Sequence, residues 1–178
     1  PKPAGQRLRV LSIRPYSSTV YGNDLAVQAI RLLAREPYFA ELQFRLVGDG
    51  KLFEETVAPL RGFANVEISQ GFITQAQIAA LHRDYGVFLV PSRMDSQGVS
   101  RDEAMSSGLV PVTNRVAAIP EFVDESCGFL ADPEDAEGLA RAISTLYHDP
   151  ARFEAMSAAA AQRVREQSGY ARTVAREL

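Results

Sequence analysis

The sequence predicts a doubly wound α/β domain, with a parallel sheet of about six strands and helices on both faces. Short apolar segments alternate along the chain with longer segments whose apolar residues recur at helical spacing, an order typical of parallel crossover units. The segment GVFLVP, residues 86–91, is almost wholly apolar, as expected of a strand covered on both faces. Residues that favour helix starts precede several of the helical segments.

Six segments have the length and apolar character of strands. They are residues 8–13, 42–48, 65–72, 86–91, 109–114 and 127–132. Helical spacing is found in residues 23–36, 51–62, 74–85, 100–108, 117–124, 135–149 and 150–167. Asn23, Thr74 and Asp135 are predicted N-caps, because their side-chain oxygens can accept a hydrogen bond from a free backbone N–H.

Composition indicates one globular domain and excludes several function classes. The chain has 178 residues, of which 46% are hydrophobic and 23% charged, so a second full domain does not fit. A net charge of −3 without any Lys or Arg run disfavours nucleic acid as a partner. No apolar stretch approaches the roughly 20 residues of a membrane span. Because Cys127 is the sole cysteine, no disulfide can form within the chain, and we expect a cytoplasmic protein.

The opening residues differ in character from the rest of the chain. PKPAGQ offers no core-forming side chain, and the first predicted strand follows at once. We therefore predict that residues 1–7 are a linker remnant and that residues 8–178 form a single domain of a larger protein.

Candidate site residues are sought where the predicted strands end, since ligands of doubly wound sheets bind beyond the carboxyl ends of the strands. The richest segment there is PSRMDSQGVSRDEAMSSGLVPV, residues 91–112. Gly98 precedes a predicted helix whose free N–H groups and positive dipole end suit a phosphate. Asp95 and Glu103 lie before and within this helix. Their two carboxylates can accept hydrogen bonds from hydroxyl groups of one polyhydroxylated ligand.

This segment resembles the motif of family-four (group 1) glycosyltransferases, which has the form PS..EGFGL...EAMA.G.PVV. The segments RLVGDG, VEISQGFI, RVAAIPEFV and CGFLADPEDAEGLARAI are similar to further family segments in the same order. The resemblance covers the chain from about Leu8 to its end. It implies the C-terminal, donor-binding half of a GT-B fold, a Rossmann-like domain. The implied reaction is transfer of a sugar from a nucleotide-diphosphate sugar to an unknown acceptor, with retention of anomeric configuration.

The resemblance also implies roles for particular residues. Asp95 is implied to lie near the donor sugar. Arg14 is implied to bind the diphosphate and to neutralise its negative charge as it leaves, so Asp95 and Arg14 are the predicted catalytic residues. Glu103 is implied to hold the ribose hydroxyls. Further donor-binding residues are Ser96, Gln97, Gly98 and Val99 at the sugar and diphosphate, and Gly71, Phe72 and Ile73 at the base. The missing N-terminal domain of the same enzyme would bind the acceptor, so we expect the isolated domain to be inactive or nearly so.

No metal and no cofactor is expected beyond the nucleotide-sugar substrate. The family generally transfers without a required metal, and His82 and His148 are isolated along the chain, without metal-ligand spacing around them.

The chain departs from the family pattern at several positions. Asp95 stands where Glu is usual, and Ala117 and Ala118 stand where glycines are common. The loop RPYSSTVYG lacks the usual Lys, and Tyr21 lies at the matching place. We predict that the missing cation is replaced in part by hydroxyl groups of this loop, including that of Thr19, and by a helix N-terminus at Gly22.

These departures keep a second function open, a non-catalytic nucleotide or nucleotide-sugar binding module. An NAD-binding domain is disfavoured, because no glycine fingerprint follows the first strand. Sugar-nucleotide epimerases of similar fold are a further alternative, although the pair of acids favours a transferase. The sequence leaves open the base, the sugar, the acceptor, the oligomeric state and any membrane association of the full protein.

Overall fold

The computed structural model describes residues 1–95 and 98–168. In this part of the chain one parallel sheet has the strand order β3-β2-β1-β4-β5-β6. The strands are β1 (Arg9–Ile13), β2 (Gln43–Gly48), β3 (Val66–Gln70), β4 (Val87–Leu89), β5 (Val110–Asn114) and β6 (Phe129–Ala131). The predicted fold class is confirmed, and each strand lies within its predicted segment.

Helices cover both faces of the sheet. They are α1 (Asn23–Leu33), α2 (Phe53–Val57), α3 (Gln75–Asp84), α4 (Val99–Ser106), α5 (Ile119–Phe122), α6 (Ala136–His148) and α7 (Pro150–Ser168). Val10 of β1 and Val87 of β4 belong to the core formed with α1 and α6. Leu11 and Phe88, the next residues of the same strands, pack in a separate core with Ala104 of α4. Alternate strand residues therefore enter opposite layers, as the pleat of a strand requires.

Two of the three predicted N-caps are confirmed. Thr74 forms a capping box with Gln77: its hydroxyl accepts the Gln77 N–H at 3.3 Å, and the Gln77 side chain accepts the Thr74 N–H at 2.7 Å. Asp135 accepts a hydrogen bond from the Gly138 N–H at 2.8 Å. The prediction for Asn23 is wrong, because α1 is preceded by a left-handed glycine and the Asn23 amide donates to the carbonyl of Pro15 at 2.7 Å instead.

Loss of the capping box should weaken the fold without disturbing its core. We expect Thr74→Ala to lower the free energy of unfolding by about 1 kcal/mol, because the first turn of α3 loses a hydrogen-bond acceptor. Urea unfolding measures this change. The matched control is Thr145→Ala in α6, whose hydroxyl donates to the Arg141 carbonyl inside the helix. That control should stay within about 0.5 kcal/mol of wild type, and an equal loss in both variants would contradict the role of the cap.

The residues predicted to be a linker remnant lie against the domain. Residues 4–8 form a 3₁₀ helix, and the Lys2 backbone N–H donates to the buried Ser157 hydroxyl of α7 at 2.7 Å. The Lys2 ammonium group donates to the carbonyls of His82 and Arg83 at the end of α3, where a cation is favoured by the helix dipole. The division into residues 1–7 and 8–178 stays a prediction.

The order of the strands reverses at β1. This strand pairs on one side with β2, where Val10 lies opposite Phe44, and on the other side with β4, where Val10 lies opposite Val87. The segments that follow β1 and β4 therefore leave the sheet next to each other and turn to different layers. A crevice at this place is the usual ligand site of doubly wound sheets.

Candidate functional site

A cavity of about 430 Å³ lies beyond the carboxyl ends of the strands on both sides of β1. Its walls come from the segments that follow β1, β2, β3 and β4. Seven of the predicted site residues line it together, namely Arg14, Gly71, Phe72, Ile73, Asp95, Gly98 and Val99. The structure thus brings together the residues chosen at the strand ends.

Arg14 is a buried cation at the cavity wall. It is 7% exposed, its Nη2 donates to the carbonyl of Pro91 at 3.5 Å, and its Nε has no hydrogen-bond partner in the described part of the chain. The guanidinium carbon lies 5.2 Å from the centre of the Tyr21 ring. Burial lowers the pKa of Arg14, and the charge of Asp95 partly opposes this shift. A buried guanidinium with an unused donor suits an anionic ligand.

Two glycines let the turn after β2 approach the segment that carries Arg14. A side chain at Gly48 would collide with the carbonyl oxygen of Arg14 and with the ring of Tyr16. Gly50 has a φ of 142°, and a Cβ there would lie 2.4 Å from the carbonyl carbon of Tyr16. The Tyr16 N–H donates to the carbonyl of Asp49 at 2.7 Å. Both glycines therefore serve chain packing, and through it they hold the backbone next to Arg14.

Gly98 sets the start of α4 at the cavity. It has a φ of 70°, and a Cβ there would lie 2.5 Å from the guanidinium carbon of Arg101. Arg101 is 2% exposed, donates to Asp102 at 3.0 and 2.8 Å, and lies 4.9 Å from the ring centre of Phe122. Burial raises the pKa of Asp102. Glycine at position 98 is needed for its backbone conformation and for the space that Arg101 occupies.

Apolar side chains border the same cavity. Phe72, Met94 and Val99 are 94%, 66% and 58% exposed, and all three line the cavity. Ile78 of α3 contributes a further apolar wall. Cavities that combine a largely apolar lining with a few polar groups are typical of small-molecule sites.

Two residues predicted to act in the first loop lie outside the cavity lining. Thr19 is exposed, and its carbonyl accepts a hydrogen bond of 2.6 Å from Arg93. Gly22 is buried, and a Cβ there would lie 2.9 Å from the carbonyl carbon of Pro91, so its backbone packs against the segment after β4. Contact of Thr19 and Gly22 with a ligand stays a prediction.

Three further predicted residues belong to the motif around α4. Glu103 is half-buried in α4 and is not among the residues that line the cavity, and its backbone carbonyl accepts a hydrogen bond from Ser106 at 2.7 Å. Ser96 and Gln97 lie outside the described residues. The roles of all three residues stay predictions.

Sequence reasoning missed Met94 and Ile78 at the cavity, and two arginines that contact segments next to it, Arg93 and Arg101. Met94 could have been found from its place beside Asp95, and Ile78 from its place one turn into the helix that follows residues 71–73. The arginines carry no comparable signal, because a charged residue in a loop or helix is usually exposed.

Backbone strain marks two non-glycine residues near the strand ends. Ala117 has a φ of 46° and Glu134 a φ of 61°. Ala117 stands where the family pattern has glycine, so the departure noted in the sequence appears as an unfavourable backbone conformation. The carboxylate of Glu134 is bound by Arg93 at 2.7 and 2.8 Å.

Among residues 1–95 and 98–168, no three His, Cys, Asp or Glu side chains group as metal ligands would. His82 is buried, its ring forms a T-shaped contact with the ring of Phe88, and burial lowers its pKa. In the same described ranges no helix combines the length and apolar character needed to cross a bilayer.

The fold and the cavity together define a doubly wound α/β domain with a cavity at its switch point. A family model described as "Glycosyl transferases group 1" matches residues 8–149. The match covers most of the sequence, and the chain belongs to this family.

Known proteins agree with this family and with the fold. A sulfoquinovosyl transferase of Arabidopsis thaliana is 31% identical over 124 residues, which make up 67% of this chain and 24% of that protein. Among solved structures, S. aureus TarM has a TM-score of 0.79 and 17% identity, over 94% of this chain and 33% of that one. The C-terminal domain of the group 1 glycosyl transferase LpcC from Francisella tularensis has a TM-score of 0.77 and 19% identity, over 91% of this chain and 87% of that one.

Proposed function

We propose that the chain is the donor-binding domain of a retaining glycosyltransferase, which transfers a sugar from a nucleotide-diphosphate sugar to an acceptor. The observation that carries the proposal is one cavity that both the buried, incompletely hydrogen-bonded Arg14 and the acidic Asp95 line. Membership of the group 1 family supports it. The structurally similar TarM was crystallised with UDP, which supports a nucleotide as part of the ligand.

The cavity has a suitable surface for each part of such a donor. The diphosphate would bind Arg14 and the N-terminus of α4 at Val99, where a guanidinium and free N–H groups both favour negative charge. Phe72, Ile73 and Ile78 offer apolar surface to a flat base. Asp95 would then accept hydrogen bonds from the sugar hydroxyls.

The proposed reaction breaks the bond between the anomeric carbon and the diphosphate oxygen. The electron pair leaves with the diphosphate, the acceptor oxygen forms the new bond on the same face, and its proton passes to the departing diphosphate. Arg14 stabilises the negative charge that develops on this leaving group. Asp95 contributes by holding the sugar in register with the reacting atoms.

Part of the reaction machinery is proposed to lie outside this chain. The chain spans 24% of the length of the sulfoquinovosyl transferase that it matches. We infer that a preceding domain of the same enzyme binds the acceptor. Residues 1–178 alone should therefore bind the donor and show little transfer, and robust sugar transfer by this chain would contradict that division.

Calorimetric titration with UDP, GDP, ADP and their sugars tests the proposal. We expect one nucleotide to bind preferentially and Glu103→Gln to weaken its binding about tenfold, because a charge-assisted hydrogen bond to the ribose is lost. Glu154→Gln, on the exposed surface of α7, is the matched control and should bind as wild type does. Flat titrations with every nucleotide would refute the proposed donor site.

The second candidate is a nucleotide-binding module without catalytic activity. It is favoured by Tyr21, which stacks on Arg14 at the place where the family pattern has a second cation. Turnover distinguishes the two functions in a protein that joins this domain to its acceptor-binding partner domain. Asp95→Asn should abolish transfer there while nucleotide binding persists, whereas a pure binding module would show no transfer even as wild type.

A further inference from the structure

Arg93 joins several segments at the carboxyl end of the sheet through all its side-chain donors. Its Nη1 donates to the carbonyl of Thr19 at 2.6 Å and to Asp24 at 2.8 Å. Its Nη2 donates to Asp24 and to Glu134, both at 2.8 Å, and its Nε donates to Glu134 at 2.7 Å. The Arg93 backbone N–H donates to the carbonyl of Val20 at 2.9 Å. Each carboxylate is therefore bound through two parallel hydrogen bonds, the strongest arrangement that arginine forms.

The segments joined in this way carry the groups that line the cavity. The 3₁₀ turn Thr19–Tyr21 holds Tyr21, whose ring stacks on Arg14. Arg93 directly precedes Met94 and Asp95, which line the cavity. Asp24 lies in the first turn of α1, and Glu134 lies in the turn that follows β6.

Arg14 itself has few contacts that fix its direction. Its one described side-chain hydrogen bond, to the Pro91 carbonyl, has a length of 3.5 Å, and the ring of Tyr21 covers its guanidinium. The position of that ring depends on the turn that Arg93 holds through Thr19 and Val20. A displaced turn would therefore release Arg14 from its place beside Asp95.

We propose that Arg93, together with Asp24 and Glu134, is a positioning device of the donor site. It holds the Thr19–Tyr21 turn and the Met94–Asp95 segment at a fixed spacing, so that Arg14 and Asp95 are in place before the donor arrives. We call these three residues the Arg93 clamp. The inference rests on the proposed function and assigns to it residues that touch neither the nucleotide nor the sugar.

The backbone of Glu134 supports a role beyond a surface ion pair. Its φ of 61° is unfavourable for any residue with a side chain, and glycine would adopt it without strain. The side chain is 59% exposed, so it fills no core that would explain the strain. Its described contact is the bidentate pair with Arg93. A strained backbone at a residue other than glycine often marks a functional constraint.

Because the clamp residues are partly exposed, we expect their replacement to change ligand binding more than folding stability. The side chains of Arg93, Asp24 and Glu134 are 27%, 42% and 59% exposed. Ion pairs this accessible to water contribute little to folding stability. The hydrogen bonds from Arg93 lower the pKa of Asp24, so this carboxylate stays charged at neutral pH. The clamp can therefore fix geometry while changing the free energy of unfolding only slightly.

Glu134→Gly provides a sharp test, because it removes the carboxylate and the backbone strain together. We expect the affinity for the preferred nucleoside diphosphate to fall about fivefold while the melting temperature stays equal or rises. Arg93→Lys keeps the charge but cannot form both bidentate pairs, and it should lose about tenfold in affinity. In both variants, hydrogen exchange at the backbone amides of positions 22 and 93 should accelerate while that of β5 is unchanged.

The matched control is Arg141→Met in α6. Arg141 also lies between two carboxylates, Asp135 and Glu137, but these belong to the N-cap and first turn of its own helix, so Arg141 joins no segments of the donor cavity. This variant should bind the nucleotide as wild type does. Wild-type affinity in both Glu134→Gly and Arg93→Lys would overturn the proposal. The proposal would also be overturned if each variant lost affinity only in proportion to its loss of melting temperature. If the wild-type chain bound no nucleotide at all, the proposed function would fail first and this inference with it.

Discussion

Replacement of Arg14 by methionine is expected to weaken binding of a nucleoside diphosphate about 100-fold, the equivalent of losing two charge-assisted hydrogen bonds. The stability of the fold should not fall with it. Arg14 is 7% exposed and its Nε is unpaired within the described residues, so the folded protein bears a desolvation cost that an apolar side chain of similar length would not. Calorimetric titration and urea unfolding of the same preparation measure both effects.

Arg9→Met is the control for this experiment. Arg9 begins the same strand at its opposite end, and its guanidinium lies 5.0 Å from the ring centre of Tyr85. It thus has the same type of contact as Arg14 but no place at the cavity. Its replacement should leave nucleotide affinity unchanged. An equal loss of affinity in the two variants, or unchanged binding by Arg14→Met, would contradict the role of Arg14.

Gly48→Ala is expected to lower the free energy of unfolding by about 3 kcal/mol and to abolish nucleotide binding. The loss of stability is large because the added methyl group overpacks against backbone atoms. The added methyl group would collide with the Arg14 carbonyl oxygen, which cannot move without shifting the strand end. The Tyr16 ring, 1% exposed and packed edge-on against Phe53, leaves no space on the other side. Urea unfolding at constant pH measures the loss of stability.

Gly62→Ala is the matched control, because a Cβ at Gly62 meets no atom within 4 Å. This replacement should change the free energy of unfolding by no more than about 0.5 kcal/mol. If Gly48→Ala were as mild as Gly62→Ala, the close approach of the two strand ends would not be needed. The inference that this close approach places Arg14 would then be wrong.

The fold was predictable because burial on both faces leaves a direct pattern in the sequence. Residues 86–91 are apolar, and they do contain the central strand β4. Its exact end was not predictable from hydrophobicity, since Pro91 is apolar but has no N–H to give to a neighbouring strand. The prediction of Asn23 as an N-cap was wrong because side-chain polarity does not show which partner the side chain binds. A polar residue at a helix start can turn its side chain to the helix or to another segment, here the carbonyl of Pro15.

The site was predictable only where it depends on strand ends. Arg14 and Asp95 follow β1 and β4, and topology alone brings such positions together. Arg93 and Arg101 could not be found in this way, because local sequence does not show that Arg93 reaches Asp24 and Glu134 or that Arg101 lies beneath Gly98. Thr19 was predicted for its hydroxyl, and that role stays a prediction. The sequence did not indicate that its carbonyl accepts a hydrogen bond from Arg93.

The pairing of β1 with β4 has a consequence for the order of folding. Val10 lies opposite Val87, so the central contact of the sheet joins residues far apart in the chain, while β1, β2 and β3 pair through nearer crossovers. Contacts of large sequence separation bear the highest loop-closure cost and tend to form late. The cavity at the switch point lies across this seam, so it should be incomplete in the folding transition state. A bound nucleotide should therefore slow unfolding and leave the rate of folding almost unchanged, as stopped-flow measurements with and without ligand would reveal.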